Sequence, residues 1–291
     1  MTSDTSLSPI PTPVMPDAPP RCKFRARFRK AQDLRLVSHH DLMHVCERMF
    51  RRADLSIPVT QGFNPRPRMW FASAMALGVA GLNEVLEFEL SPPVAAEDVH
   101  RRLTAQAPPG MEILSIREID VKASARVRRA LYRLPLATDR EGKAPAEPAS
   151  LANDGSAGAS PSPSLVERIT TFMLQTECWV ERLRPQPRRV NVRPFVHELH
   201  AHGDRLEMAL WITSNGAARP DEIIASLGLK ELLDAGAVIE RTDLEVYDEL
   251  PAGMEEPPLI ESAIEEISAN DRGLPEKRPT ALISNPMSFD S

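Results

Sequence analysis

The sequence predicts an α+β protein built from two ferredoxin-like split βαβ units in tandem, and three observations carry that reading. Lys23 to Arg29 alternates, with Phe24, Ala26 and Phe28 on one side and Lys23, Arg25, Arg27 and Arg29 on the other, as in a half-buried strand. Leu42, Val45, Cys46, Met49 and Phe50 then recur at three- and four-residue spacing, as on one face of a helix. Continued along the chain, the pattern gives strand, helix, strand, strand, helix, strand, twice over. No sequence repeat accompanies the second pass, so the duplication rests on pattern alone.

Taken in order, residues 1–20 are Ser, Thr and Pro with almost nothing to bury, and are expected to be a disordered leader. A basic ferredoxin-like domain is expected over 21–122. Its first strand is followed by a helix that Ser38 caps and that ends near Asp54, then by a loop at 61–68 that its prolines bar from helix or central strand. Strands at 69–72 and 85–90, a helix at 95–107 and a strand at 112–119 complete the unit. A second α+β domain is expected over 123–250, with strands at 126–136, 189–199, 205–213 and 238–247 and helices at 165–174 and 220–235. Within it, 137–163 is rich in Ala, Gly, Ser and Pro and reads as a flexible insertion. Residues 251–291 read as an acidic disordered tail with a short helix at 260–267.

Composition narrows the function classes. The chain has 291 residues, 28 of them Pro, and only 5% aromatics, so part of its length is expected to lie outside any core. Net charge is -6, yet residues 21–136 hold 20 Lys/Arg against 12 Asp/Glu, whereas 137–291 hold 15 against 27. A basic half beside an acidic one is expected where one part meets a polyanion, although uneven charge on two ordinary surfaces gives the same count. Cys22, Cys46 and Cys178 lie far apart, with no CxxC pair, which fits a reducing, cytoplasmic setting. No secretory leader pattern and no long apolar run is present, so no membrane is expected.

The expected RNA-binding set is distributed: Arg25 and Arg27 on the first strand, His39 at the helix start, Arg48, Arg51 and Arg52 near the helix end, and Gln61, Phe63, Asn64, Arg66 and Arg68 in the loop, with His39, Arg51, Arg52, Gln61, Asn64 and Arg66 expected to line one face where helix start and loop converge. Arginine forks grip phosphate oxygens at two points, and Phe63 and Trp70 offer planes for base stacking. A solvated set of arginines around buried aromatics is the plainer alternative. Three roles stand for His39 and His40: capping and polar packing, contact with phosphate at a helix N-terminus, or acid–base catalysis of RNA cleavage. A metal site is not expected. His40 and His44 share a helix face, but Cys46 lies about 120° away from His40 at ~100° per residue. No HExxH, P-loop, GxGxxG or nucleophile elbow occurs, and no cofactor is called for.

Four segments carry a resemblance: Leu34-Arg35-Leu36-Val37-Ser38-His39-His40-Asp41-Leu42, Glu47 to Ala53, Thr60 to Pro67, and Leu77 to Glu84. Together they resemble the radical-SAM-linked domain family of unknown function across about residues 22–250. Thr60 stands where that family usually has Ser, and Arg66 where it often has His. The resemblance implies a stand-alone companion of a cobalamin-binding radical SAM protein, with tRNA or rRNA as the substrate presented. The chain has no CxxxCxxC triad to hold an iron–sulfur cluster, so any radical step falls to that partner. Two rivals follow from the same residues: a metal-free ribonuclease or RNA-modifying enzyme using His39 or His40, and a protein-docking module that meets no RNA.

Overall fold

The computed structural model describes residues 20–136, 163–251, 253–258, 260 and 263–266. The expected leader, insertion and acidic tail therefore fall largely outside the described residues. The chain runs β1 (Cys22–Lys30), α1 (His39–Arg52), β2 (Met69–Phe71), β3 (Ala80–Leu90), α2 (Ala96–Gln106), β4 (Met111–Ile119) and β5 (Val127–Pro135). It continues as α3 (Leu165–Leu174), β6 (Trp179–Arg182), β7 (Arg188–Asn191), β8 (Val196–His202), β9 (Arg205–Thr213), β10 (Gly216–Ala217), α4 (Pro220–Ser226), α5 (Lys230–Asp234), β11 (Glu240–Val246) and β12 (Ile264–Glu266).

The fold is α+β, with one nine-stranded mixed sheet as its frame. The strands run β10-β9-β5-β11-β3-β1-β4, with β2 added to β3 and β8 to β9. Within the first half, β2-β3-β1-β4 are all antiparallel neighbours, and within the second, β8-β9-β5-β11 are too. The halves join through the one parallel pairing among the described residues, Glu240 opposite Ala80 and Arg241 opposite Gly81. The sheet is thus continuous across residue 122, where the sequence suggests a boundary. A separate three-stranded sheet, β12-β7-β6, lies beside it. Its strand Ile264–Glu266 occupies the place of the helix expected at 260–267.

Local chemistry explains the elements. Ser38 caps α1, its hydroxyl oxygen accepting from the Asp41 backbone N–H at 3.2 Å. The face that α1 turns inward, Leu42, Cys46, Met49 and Phe50, packs on Phe24, Ala26 and Phe28 of β1 and Leu86 and Phe88 of β3. Each such side chain contributes roughly 1.5–3 kcal/mol by leaving water. The second core gathers α3, α4, β8 and β9 around Phe195 and Ile223. Val85, Val127, Ala130, Leu244 and Val246 form a small third core at the join. The helix expected over 220–235 is two short ones, broken at Gly228, whose φ of 69° ends the first. The strand expected over 189–199 is β7 and β8, separated by a 3-10 turn at Arg193–Phe195 where Pro194 cannot donate to a ladder.

Candidate nucleic-acid interface

The first strand departs most from expectation. Its charged side is not an open cationic face: Lys23 and Arg25 are buried and Arg27 nearly so. Register is the cause, because Arg25 stands opposite Glu87 of β3. Its guanidinium bonds Glu87 through Nε at 2.9 Å and Nη2 at 2.7 Å, while Nη1 donates to Asp248 and Glu249 at 2.8 Å each. Arg27 pairs with Asp243 at 3.2 Å and with Glu249, and Arg117 of β4 reaches Glu249 at 2.7 Å. Asp248 and Glu249 follow β11, so acidic residues of the second half neutralise part of the basic charge of the first. Arg25 and Arg27 are therefore internal ion pairs, not a surface for phosphate. Burial alone would raise the Glu249 carboxyl, but the bonds from Arg25, Arg117 and Arg27 outweigh it and bring its pKa down to about 2.

Trp70 and Arg68 are likewise engaged. The Trp70 indole N–H donates to Glu87 at 2.9 Å, and the Lys23 ammonium lies 4.1 Å from the ring centre, so this plane faces a cation rather than a base. Arg68 is half-buried and pairs with Glu89 at 3.2 Å.

The helix start and the loop do not converge. Arg51 of α1 and Pro67 of the loop line one small hollow with Glu47, Phe50, Leu55 and Ile57, so the loop sits at the C-terminal end of α1. His39 is twelve residues back along the helix, about 18 Å at ~1.5 Å per residue. There it packs edge-on against Phe71, ring centres 5.3 Å apart, with Nδ1 buried and unpartnered among the described residues. Burial, with Lys30, His40 and Arg241 nearby, lowers the His39 pKa and favours the neutral ring. His40 and His44 are exposed and meet edge-on at 4.6 Å. Cys46 is in the core, its thiol pushed up to about 12 by burial, and so turns away from them.

What the structure does bring together is the loop and the far end of α1, which meet at Arg51 and Pro67. Arg48, Arg51, Arg52, Gln61, Asn64 and Arg66 are all exposed, and none of the four arginines has an acidic partner among the described residues. Phe63 is fully exposed at 106%. The loop beneath it is tied at its base: Val59 bridges Pro67, the Thr60 N–H donates to the Arg66 carbonyl at 2.8 Å, and the Arg66 N–H donates to Thr60 Oγ1 at 3.0 Å. Gly62, with φ of 131°, supplies the turn. The Thr60 hydroxyl performs this closure as the more usual Ser would.

A second cluster, which the sequence does not announce, lies where the halves join. Arg241 of β11 grips Glu84 of β3 through two bonds of 2.6 Å, both side chains buried, and donates to Ser73 Oγ at 3.2 Å and the Ala74 carbonyl at 3.1 Å. Glu84 belongs to the Leu77–Glu84 segment noted above, but its partner is 157 residues away, so no local pattern links them.

Fold and patch together define an α+β protein with an arginine- and phenylalanine-bearing loop surface. A model of the family described as an uncharacterized protein conserved in bacteria, DUF2344, matches residues 23–220, and the chain belongs to that family. No curated protein matches. A solved structure described as an unknown protein from Galdieria sulphuraria is similar at 13% identity, over 78% of this chain and 99% of that one, with a TM-score of 0.23. So distant a likeness carries no functional meaning. Among the described residues no helix is long and apolar enough to cross a membrane.

Proposed function

We propose that the protein is an accessory RNA-binding protein that presents tRNA or rRNA to a cobalamin-dependent radical SAM enzyme. The observation that carries the RNA reading is Phe63, wholly exposed on a closed loop that meets the end of α1 at Arg51 and Pro67, with the exposed Arg51, Arg52 and Arg66 showing no acidic partner among the described residues. An exposed aromatic ring offers a flat apolar face on which another ring can stack. A base stacked on the ring, with neighbouring guanidiniums on the phosphates, is the arrangement by which single-stranded RNA is commonly held. The radical SAM partner comes from the family resemblance. Strand orders of β2-β3-β1-β4 and β8-β9-β5-β11 support reading the sheet as two ferredoxin-like units. Free cysteines, two of them buried, suit the reducing cytoplasm in which such RNA chemistry runs.

The ribonuclease reading lacks comparable support, since His39 packs half-buried against Phe71 and both it and the exposed His40 lie at the far end of α1 from Arg51 and Arg52. A docking reading rests on the same Phe63, because exposed aromatics flanked by arginine also anchor protein interfaces. Titration of bulk tRNA by fluorescence anisotropy separates the two. With four phosphate contacts, affinity should fall about fifty-fold between ~50 and ~200 mM salt. Absence of binding at low salt removes the RNA reading and leaves docking.

A further inference from the structure

The cluster at the join forms one wall of a cleft of about 730 Å³, well within the range that holds a small molecule. The opposite wall is α4 and α5, and the floor is β5 and β9. Ala74, Ala76, Ala130, Ala217, Ala218 and Ala237 line it, so its walls are apolar and short-chained and leave the space open.

The wall is pinned rather than draped. Arg241 holds Ser73 and Ala74, the Gly78 N–H donates to the Arg35 carbonyl at 3.0 Å, and the Ala80 N–H donates to the Ile239 carbonyl at 3.0 Å. Buried Lys30 fixes the preceding turn through the Val37 carbonyl at 2.9 Å. Gly81 leaves the room that Glu84 needs, since a Cβ there would stand 2.5 Å from the Glu84 side chain. The segment Leu77–Glu84, which the RNA surface does not use, thus serves to build this cleft. A preformed site spares a ligand the cost of ordering it.

The polar lining sets the ligand's character. Arg241 and Arg182 line the cleft, but each is already paired at two points, with Glu84 and with Glu222 at 2.7 and 2.8 Å. Arg219 and Asp221, on either side of Pro220, oppose each other in charge. No net charge is left for an ion. Tyr132 also lines the cleft beside Arg241, and its hydroxyl proton has no acceptor among the described residues. The half-buried phenolic O–H is therefore available to donate to a molecule that enters the cleft.

The geometry points to a binding site for a small, uncharged, largely apolar molecule whose carbonyl-type oxygen accepts a hydrogen bond from Tyr132. This site is distinct from the RNA surface and stands or falls separately from it. Prodan, a neutral naphthyl ketone whose emission moves to the blue in apolar surroundings, is the probe. Titrated against the full chain it should blue-shift and saturate at one molecule per chain. Tyr132→Phe should weaken binding about threefold to tenfold, the loss of one hydrogen bond. Ala76→Trp, placed at the exposed lip, should abolish it, and thermal melts of both variants confirm that they fold. No saturable shift with the native chain, or a shift that both folded variants retain unchanged, overturns the proposal.

Discussion

Phe63 is the residue on which the proposed RNA recognition turns. Phe63→Ala removes a stacking plane worth about 1–3 kcal/mol per base, so RNA affinity should drop roughly five- to 150-fold with the melting temperature unchanged. Anisotropy alongside a thermal melt reads both. Glu84 is the opposite kind of residue, buried and structural. Glu84→Gln leaves the Arg241 guanidinium buried without its charge partner and should cost about 3–5 kcal/mol of stability in urea unfolding. Glu249 gives a pH signature. Its folded pKa of about 2 lies below the usual carboxylate value of 4.5, so its contribution is present above pH ~4.5 and is lost as pH falls toward 2. Acid unfolding of Glu249→Gln should therefore show a shallower pH dependence across that window than the native chain. Sequence alone separates these roles poorly. Arg25 and Arg66 look alike in a string, and only the register that sets Glu87 opposite Arg25 makes one an internal ion pair and leaves the other in water.

At the scale of elements, what depends on local spacing is legible in the sequence. The helix Leu165–Leu174 and the strand Arg205–Thr213 fall where the pattern puts them, and Ser38 caps α1 as its position before the apolar stripe implies. Strand Trp179–Arg182 is missed because it is four residues long and half exposed, with too little alternation to register. The placement of the loop relative to α1 is missed for another reason. A helix start and the next loop are neighbours in sequence order, yet a 14-residue helix carries the chain to the opposite end before the loop begins. Arg51, Arg52 and Arg66 therefore act at one end and His39 at the other. Replacing Arg51 and Arg52 together by Ala should reduce the salt slope by about one to two units, whereas His39→Ala should leave it unchanged. Affinities measured over a salt series decide between them.

For the whole molecule, the charge asymmetry takes on a second meaning. A basic N-terminal half and an acidic remainder suggest a polyanion partner, but part of that imbalance is settled within the chain, through Arg25, Arg27 and Arg117 on Asp243, Asp248 and Glu249. The exposed Arg48, Arg51, Arg52 and Arg66 keep no acidic partner among the described residues, and they are the set the proposal assigns to RNA. The two halves share a sheet through a parallel pairing of two residues, a five-residue apolar core and these ion pairs, so they are expected to unfold together. Removing Asp248 and Glu249 by substitution to Ala should lower the melting temperature and, by freeing the half-exposed Arg117, slightly raise non-specific affinity for RNA. The central claim, that RNA meets the loop at the end of α1, is tested most directly by ultraviolet crosslinking of bound tRNA followed by mass spectrometry of the attached peptides. Crosslinks concentrated on the peptide bearing Phe63 and Arg66 are the predicted result. Crosslinks elsewhere, with this peptide untouched, would contradict it.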